Sequence, residues 1–475
     1  MICHPLLLRQ LRGAPGETHS GRRALPARVA AALVGLLAAA CGGGAAGEAT
    51  DAPPSVILIS LDTLRYDHCG FNGYERDTTP FLDAFSEQCL VFDRAYSTMS
   101  WTLIAHMSMV TGLYPTQHGV MEAELALSPE FPTLAERLSR EGYDTVGVHY
   151  PGWLGERFGF GRGFGFYEGA PSAAEAEREL EVGLKGLRTG WPFFLFVHLF
   201  DIHSGVLLGP SSSMYHPPPP YDEMFLPGAR DLVTGVDVKG WWERPAAPTA
   251  EQKEAITALY DGGIRYVDSQ LEAWFKDWEA RGLLDNTIII ITADHGEGLR
   301  QRAARFGGHG AFNEEGLRIP LLIRLPGGER GGERVESLVS LVDIVPTVLA
   351  LTGGEADARL PGRPLTGEGR AADEWVFAAN GESGAAVRRD RKVIHKGGEA
   401  RVVFDLVEDP GELEPISPDQ RPARFRDEGP ALLAHAFQQL NSYFHPPDPR
   451  EIGDLDEQVR EDLKALGYGG EVGGD

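Results

Sequence analysis

The chain of 475 residues is short of three things, and each shortage excludes something. Basic residues come first: 44 Lys and Arg stand against 69 Asp and Glu, a formal charge of −25. Residues 1–40 hold five Arg and one Glu, so the rest carries 39 basic and 68 acidic residues, or −29. Such a balance repels polyanions and argues against nucleic acid or an anionic lipid surface as a partner. An anionic substrate would need local help, from a metal ion or from gathered His and Arg. Long apolar runs are the second shortage. The run Val29–Ala40 is too short to span a bilayer as a stable helix. Cysteine is the third, with four residues. Cys69 and Cys89 either pair in an oxidising compartment or remain two buried thiols.

What is present suits a globular α/β enzyme: 42% hydrophobic residues, 59 Gly, and enough length for one large domain and a smaller one. The N-terminus reads as a targeting segment. Arg22, Arg23 and Arg28 precede the apolar run, which ends in Leu37-Ala-Ala-Ala-Cys41. That ending resembles a bacterial lipoprotein box, with Ala38 in place of the usual Leu. The resemblance implies cleavage before Cys41, lipidation of its thiol, and an exported periplasmic or outer-surface protein. It would meet the membrane only through that anchor. The alternative is an ordinary secretory signal cut nearby. Residues 42–54, rich in Gly, Ala and Pro, read as a flexible tether. The expected organisation is a signal peptide over 1–40, a tether over 41–54, a catalytic domain over 55–355 and a C-terminal subdomain over 356–475.

Three apolar runs without alternation, 55–61, 192–199 and 286–292, predict strands buried in a parallel sheet. A fourth strand is expected over 143–148, and helices over 133–141, 172–188 and 251–281. On the last, Tyr260, Ile264, Val267, Leu271 and Phe275 fall at helical spacing and read as core. Gly152–Gly169 reads as a loop over the site. Short strands at 375–378, 391–395 and 402–406 suit a small antiparallel sheet, with a helix near 432–443. The fold class is therefore α/β, with a large mixed, mostly parallel sheet flanked by helices and a small C-terminal antiparallel-sheet domain.

Each buried run ends in residues that carry chemistry. The first ends in Asp62, Thr63 and Asp67, and a carboxylate at that strand end lies at the sheet's ligand edge. The second ends in His198, Asp201 and His203. The third ends in Asp294-His295-Gly296-Glu297. Between the first two lies Ser97–Gly119, where hydroxyl residues precede an apolar, helix-forming run closed by Gly112. Thr102 there is either a plain N-cap or a hydroxyl held against free N–H groups, in a place suited to a tetrahedral oxyanion.

This order of elements resembles the sulfatase branch of the alkaline phosphatase superfamily. The resemblance rests on Asp62 at the first strand end, Thr79-Pro80, Met109-Val-Thr-Gly112 with Pro115 and His118-Gly119, and Asp294-His295-Gly296. Gly308-His309-Gly310, Glu314-Glu315, Arg318-Ile-Pro320, Pro361-Gly-Arg-Pro364 and the Phe404-Asp-Leu406 stretch extend it to the end of the chain. It puts Thr102 in the nucleophile slot, where sulfatases have a Cys or Ser that becomes formylglycine; Thr would not give that aldehyde. Ile104, Ala105 and His106 replace the family's Pro, Ser and Arg. The resemblance implies one divalent metal (Ca, Mn, Mg or Zn) held by Asp62, Asp294, His295 and Thr102. It gives His203 and His309 catalytic places beside the leaving group and the oxyanion. His106, and His198 unless it is a core histidine, would touch substrate. Thr63 stands where many members have a second acidic ligand, and Asp67 reads as a partner of Arg65.

The implied activity is metal-dependent hydrolysis of sulfate, phosphate or phosphonate esters through a Thr nucleophile. The substrate would be an anionic ester, glycan- or lipid-derived. A phospho-group transferase and a catalytically silent binding protein are the alternatives. Asp201, His203 and His309 are a less favoured set for a second cation.

Overall fold

The computed structural model describes residues 52–205, 214–234, 248–299, 312–381, 383–396, 399–416 and 449–451. The expected signal peptide, Cys41, most of the tether, His309 and the expected helix near 432–443 lie outside the described residues. So do residues 206–213 and 235–245 of the segment 205–245.

An eight-stranded mixed sheet carries the molecule. Its strands are β1 (Ser55–Leu61), β2 (Leu90–Phe92), β3 (Asp144–His149), β4 (Phe166–Gly169), β5 (Phe193–Leu199), β6 (Thr287–Thr292), β7 (Leu321–Arg324) and β8 (Arg334–Val335). They lie in the order β8-β2-β7-β6-β1-β5-β3-β4. β1 sits in the middle, parallel to β5 and β6 on either side. Every residue of β1, β5 and β6 is buried, as continuous Val, Ile, Leu and Phe runs require of strands covered on both faces. β7 runs against β6 and β2 and makes the sheet mixed. Part of the expected loop 152–169 is instead strand β4, paired to β3.

The flanking helices include α1 (Pro80–Ser86), α2 (Thr102–Thr111), α3 (Leu134–Arg140), α4 (Ala173–Lys185), α5 (Ala250–Ala280), α6 (Glu314–Leu317) and α7 (Ile344–Thr352). α3 opens on a capping box between Thr133 and Glu136. The predicted stripe on α5 is buried throughout. A smaller antiparallel sheet follows, β9 (Val376–Asn380), β10 (Ser383–Arg388), β11 (Arg391–Lys396) and β12 (Glu399–Asp405), in that order. Strand β10 was not expected: its Ser-Gly-Ala-Ala start has little strand propensity, and pairing on both edges supplies what composition does not.

Cys69 and Cys89 are buried free thiols, so the disulfide alternative falls. Each thiol lies within hydrogen-bond reach of the carbonyl four residues before it, Arg65 O at 3.4 Å and Phe85 O at 3.2 Å.

Candidate active site

The ends of β1 and β6 are neighbours in the sheet, so Asp62 and Asp294 leave it side by side. The chain after Asp62 turns sharply. Thr63 adopts φ +58°, a left-handed conformation that costs a β-branched residue energy, and two contacts hold it there. Its N–H donates to Asp294 Oδ1 at 3.3 Å, and its carbonyl accepts from the Tyr260 hydroxyl of α5 at 2.7 Å. Tyr260 also accepts from Arg65 N at 3.0 Å. Arg65 pairs with Asp67, as expected, and donates to Glu297 O, which ties the two strand ends together. After His295 the chain passes so close to α6 that a Cβ on Gly296 would fall 2.2 Å from Glu315 O, a place open only to glycine.

Asp62, Asp294 and His295 are fully buried and bring one ligand atom each to within 4.8 Å of one another. Thr102 joins them. Its Oγ1 lies 3.3 Å from Asp62 Oδ2 and 3.3 Å from His295 Nε2. The N-cap of α2 is Trp101, and Thr102 is the first helical residue, so its hydroxyl faces the strand ends rather than capping the helix. Gly112, at φ +74°, closes the helix.

The protonation pattern follows from the partners. His295 Nδ1 donates to Gly296 O at 2.8 Å, which leaves the Nε2 lone pair aimed at Thr102 and Asp294. His198 Nδ1 accepts from Tyr150 N at 3.4 Å, and its Nε2 donates to Asp62 Oδ2 at 2.9 Å. Burial and the nearby Asp294 push the Asp62 carboxyl well above the ordinary range. Burial raises Asp294 too, but His295 and His106 bring it below that range. Among the described residues, Asp62 Oδ1 and Asp294 Oδ2 accept no hydrogen bond. Two crowded, dehydrated carboxylates with unfilled oxygens, beside an imidazole lone pair and a hydroxyl, form a donor set that a divalent cation fits.

The other expected site residues divide. His106 does not reach outward. Its Nδ1 donates to Thr102 O at 2.9 Å, and its Nε2 accepts from Ser60 Oγ at 2.9 Å. With both nitrogens occupied it braces the base of α2 against β1, where a substrate contact was expected. His198 is not a plain core histidine: it holds Asp62. His203 is buried, stacks on Phe200 at 4.0 Å, and donates from Nδ1 to Ser204 O, which puts the lone pair on Nε2. Burial lowers it to about 3. Asp201 accepts from Ala173 N at the start of α4, at 3.1 and 3.0 Å, which takes it out of the second-cation set.

Several residues went unread in the sequence. Tyr260 was taken for core alone. Ser60, a polar residue inside an apolar strand, was the available signal for a contact with His106. Glu297 extends the Asp-His-Gly element; it is buried, accepts from Ser204 Oγ, and burial raises it to about 7. Trp153 packs edge-on against Trp101 at 5.3 Å, so the 152–169 segment does reach the residue before Thr102.

Comparison with known proteins gives the family. The sulfatase family model matches residues 54–354. An ulvan-active sulfatase of Formosa agariphila is 24% identical over 356 residues, 67% of this chain and 66% of that protein. The chain thus spans about two thirds of that relative's length. The crystal structure of the phosphonate monoester hydrolase of Agrobacterium radiobacter superposes with a TM-score of 0.67 at 22% identity, over 85% of this chain and 98% of that one. A structure in complex with its substrate D-glucosamine-2-N,6-O-disulfate superposes at 0.65 and 18% identity, over 82% and 98%. At such identities the superpositions show the shared fold. The family match extends over most of the chain and includes both strand ends that carry Asp62 and Asp294: the chain belongs to the sulfatase family, a family of ester hydrolases.

Proposed function

We propose that the protein is a metal-dependent hydrolase that opens an anionic ester through Thr102, and that phosphorus esters, phosphodiester or phosphonate, suit it better than sulfate esters. The observation that carries this reading is the position of the Thr102 hydroxyl, 3.3 Å from both Asp62 and His295, at the head of α2. Asp62, Asp294, His295 and Thr102 would hold one cation of the Ca, Mn, Mg or Zn type. Such a cation lowers the pKa of a bound hydroxyl and polarises the ester oxygen. The chain's own residues do the rest. His198 fixes Asp62, and His106 fixes the first turn of α2. The N–H groups at the head of α2 orient the ester's oxygens. Thr102 Oγ1 passes its proton to Asp62, to which it donates at 3.3 Å, and forms the bond to phosphorus as the ester oxygen leaves. Burial keeps the His203 ring neutral in the free protein; as a bound anion raises its pKa, Nε2 takes up a proton from water and gives it to that oxygen. His309 is kept from the sequence as a second group beside the oxyanion. Water then cleaves the Thr102 ester.

Thr102 supports phosphorus over sulfur because it gives no formylglycine, so a sulfated Thr could not leave by hemiacetal elimination. The relatives' names favour a sulfated glycan as the second reading. The test is hydrolysis of aryl sulfate, phosphate monoester, phosphodiester and phosphonate side by side, with added metals, by wild type and Thr102→Ala. Phosphorus-ester turnover that vanishes in the variant is expected. Sulfate turnover that survives it would sink the assignment.

A further inference from the structure

The C-terminal sheet sends one charged side chain into the interior. Lys392, on β11, is 0% exposed. Its Nζ lies 2.6 Å from Glu314 Oε1 and 2.8 Å from Glu412 Oε1. The ammonium also stands 5.7 Å from the centre of the Tyr96 ring. Both carboxylates are engaged on their other oxygen. Glu314 Oε2 accepts from the Tyr96 hydroxyl at 3.1 Å and has Arg318 at 3.8 Å. Glu412 Oε2 accepts from Asn313 Nδ2 at 3.1 Å and from Glu314 N at 2.9 Å. Two cations thus face two carboxylates, and all four charges converge on the short helix α6.

α6 is the piece that lies between the two halves of the site. Its Gly316 carbonyl accepts from Gly296 N at 2.9 Å, one residue after His295. Its Leu317 carbonyl accepts from Ser97 N at 2.8 Å, in the segment that leads to Thr102. Tyr96, the residue before Ser97, is bonded to Glu314 itself. We propose that Lys392 is a positioning residue: by clamping α6 through Glu314 and Glu412, it sets the spacing between Thr102 and the Asp294-His295 pair. The C-terminal sheet then acts as part of the catalytic machinery and not only as an appended layer. A buried ammonium between two carboxylates is demanding to dehydrate, and an apolar side chain of similar length would fill the same space. What the charge adds is a fixed place for α6. The bearing on metal affinity rests on the metal-dependent reading above; the bearing on position does not.

The test uses the full chain, with Lys392→Met and the charge-balanced pair Lys392→Met with Glu412→Gln. The pair keeps a folded protein within reach should the single variant leave a carboxylate too exposed to its neighbour. Two readouts are taken: amide hydrogen exchange and calorimetric titration with Mn²⁺. Exchange at the Ser97 and Gly296 amides is expected to accelerate about tenfold or more in both variants, with β1 amides unchanged. Mn²⁺ affinity is expected to fall about ten- to a hundredfold, as when an outer support of a ligand is lost. Unchanged exchange at those two amides in a folded variant, or equal acceleration everywhere, would overturn the proposal. If wild type bound no Mn²⁺, the metal-dependent reading would fail while the exchange result still decided the role of Lys392.

Discussion

At the scale of single residues, the site is a set of groups that correct one another's protonation. Asp62 and Asp294 repel, and histidines on three sides offset that repulsion. His198 matters most among these, because it and Thr102 are the side chains that bond to Asp62 among the described residues. Replacing His198 by Ala removes a donor and leaves Asp62 Oδ2 less fixed. Metal affinity should fall about ten- to a hundredfold by calorimetry, with the fold retained by circular dichroism. An unchanged affinity would show that Asp62 needs no orienting partner. Asp62, Asp294 and His295 were legible in the sequence because each lies within three residues past a buried strand, and such residues lie on the ligand edge. His198 was ambiguous for the opposite reason. It lies inside a strand buried on both faces, where composition does not tell one face from the other. Only pairing decides it: His198 is in register with Ser60, two residues from Asp62.

At the scale of elements, α5 shows what periodicity can and cannot reveal. Its apolar stripe announced a core helix, and the stripe is buried. The period does not say that Tyr260 reaches the turn after β1 and holds Thr63 at positive φ. Tyr260→Phe removes one donor and one acceptor from that turn. It should cost about 1–3 kcal/mol in chemical denaturation, since Thr63 O and Arg65 N are left unsatisfied. Turnover should fall further than stability explains, because the turn positions Asp62.

The same helix carries a pH signature. Asp268 is buried against the start of α1, accepting from Phe81 N at 2.9 Å and Leu82 N at 3.0 Å, with Arg265 at 3.7 Å and Asp83 nearby. Burial outweighs these contacts and pushes it up to about 7. The folded value thus exceeds the unfolded one, near 4. The folded state binds the extra proton between those values, so this group's contribution is present below about pH 4 and lost as pH rises through about 7. Denaturation of wild type and Asp268→Asn across pH 4 to 8 should show a smaller decline in the variant. Parallel curves would contradict the assignment. β7 and β10 lay beyond the sequence for another reason: one is only four residues long and follows directly on Pro320, the other is rich in small residues, and both take their conformation from neighbours.

At the scale of the molecule, the proposed function has an acidic protein work on an anion, and the means is concentration of charge. The acidic surplus is spread over the chain, while the place for the substrate gathers a metal site, a helix N-terminus and several imidazoles. The family was readable because spaced elements recur in order, each at a strand end or helix start. The substrate was not, since the segments expected to shape its pocket carry no motif. We propose export and a lipid anchor at Cys41, on the arginines and the short apolar run before it. In a bacterial host, the full chain should partition with membranes and Cys41→Ser should not. Equal partitioning would favour an ordinary secretory signal.

The central claim is that Thr102 becomes covalently linked to the group it cleaves. The most direct measurement is acid quench of the protein during turnover of an aryl phosphonate, followed by mass mapping of the peptide that contains Thr102. The account predicts a phosphonylated Thr102, absent in Thr102→Ala, which should also lose about a thousandfold or more in rate. Steady turnover with no adduct, and a Thr102→Ala variant that keeps its rate, would contradict it.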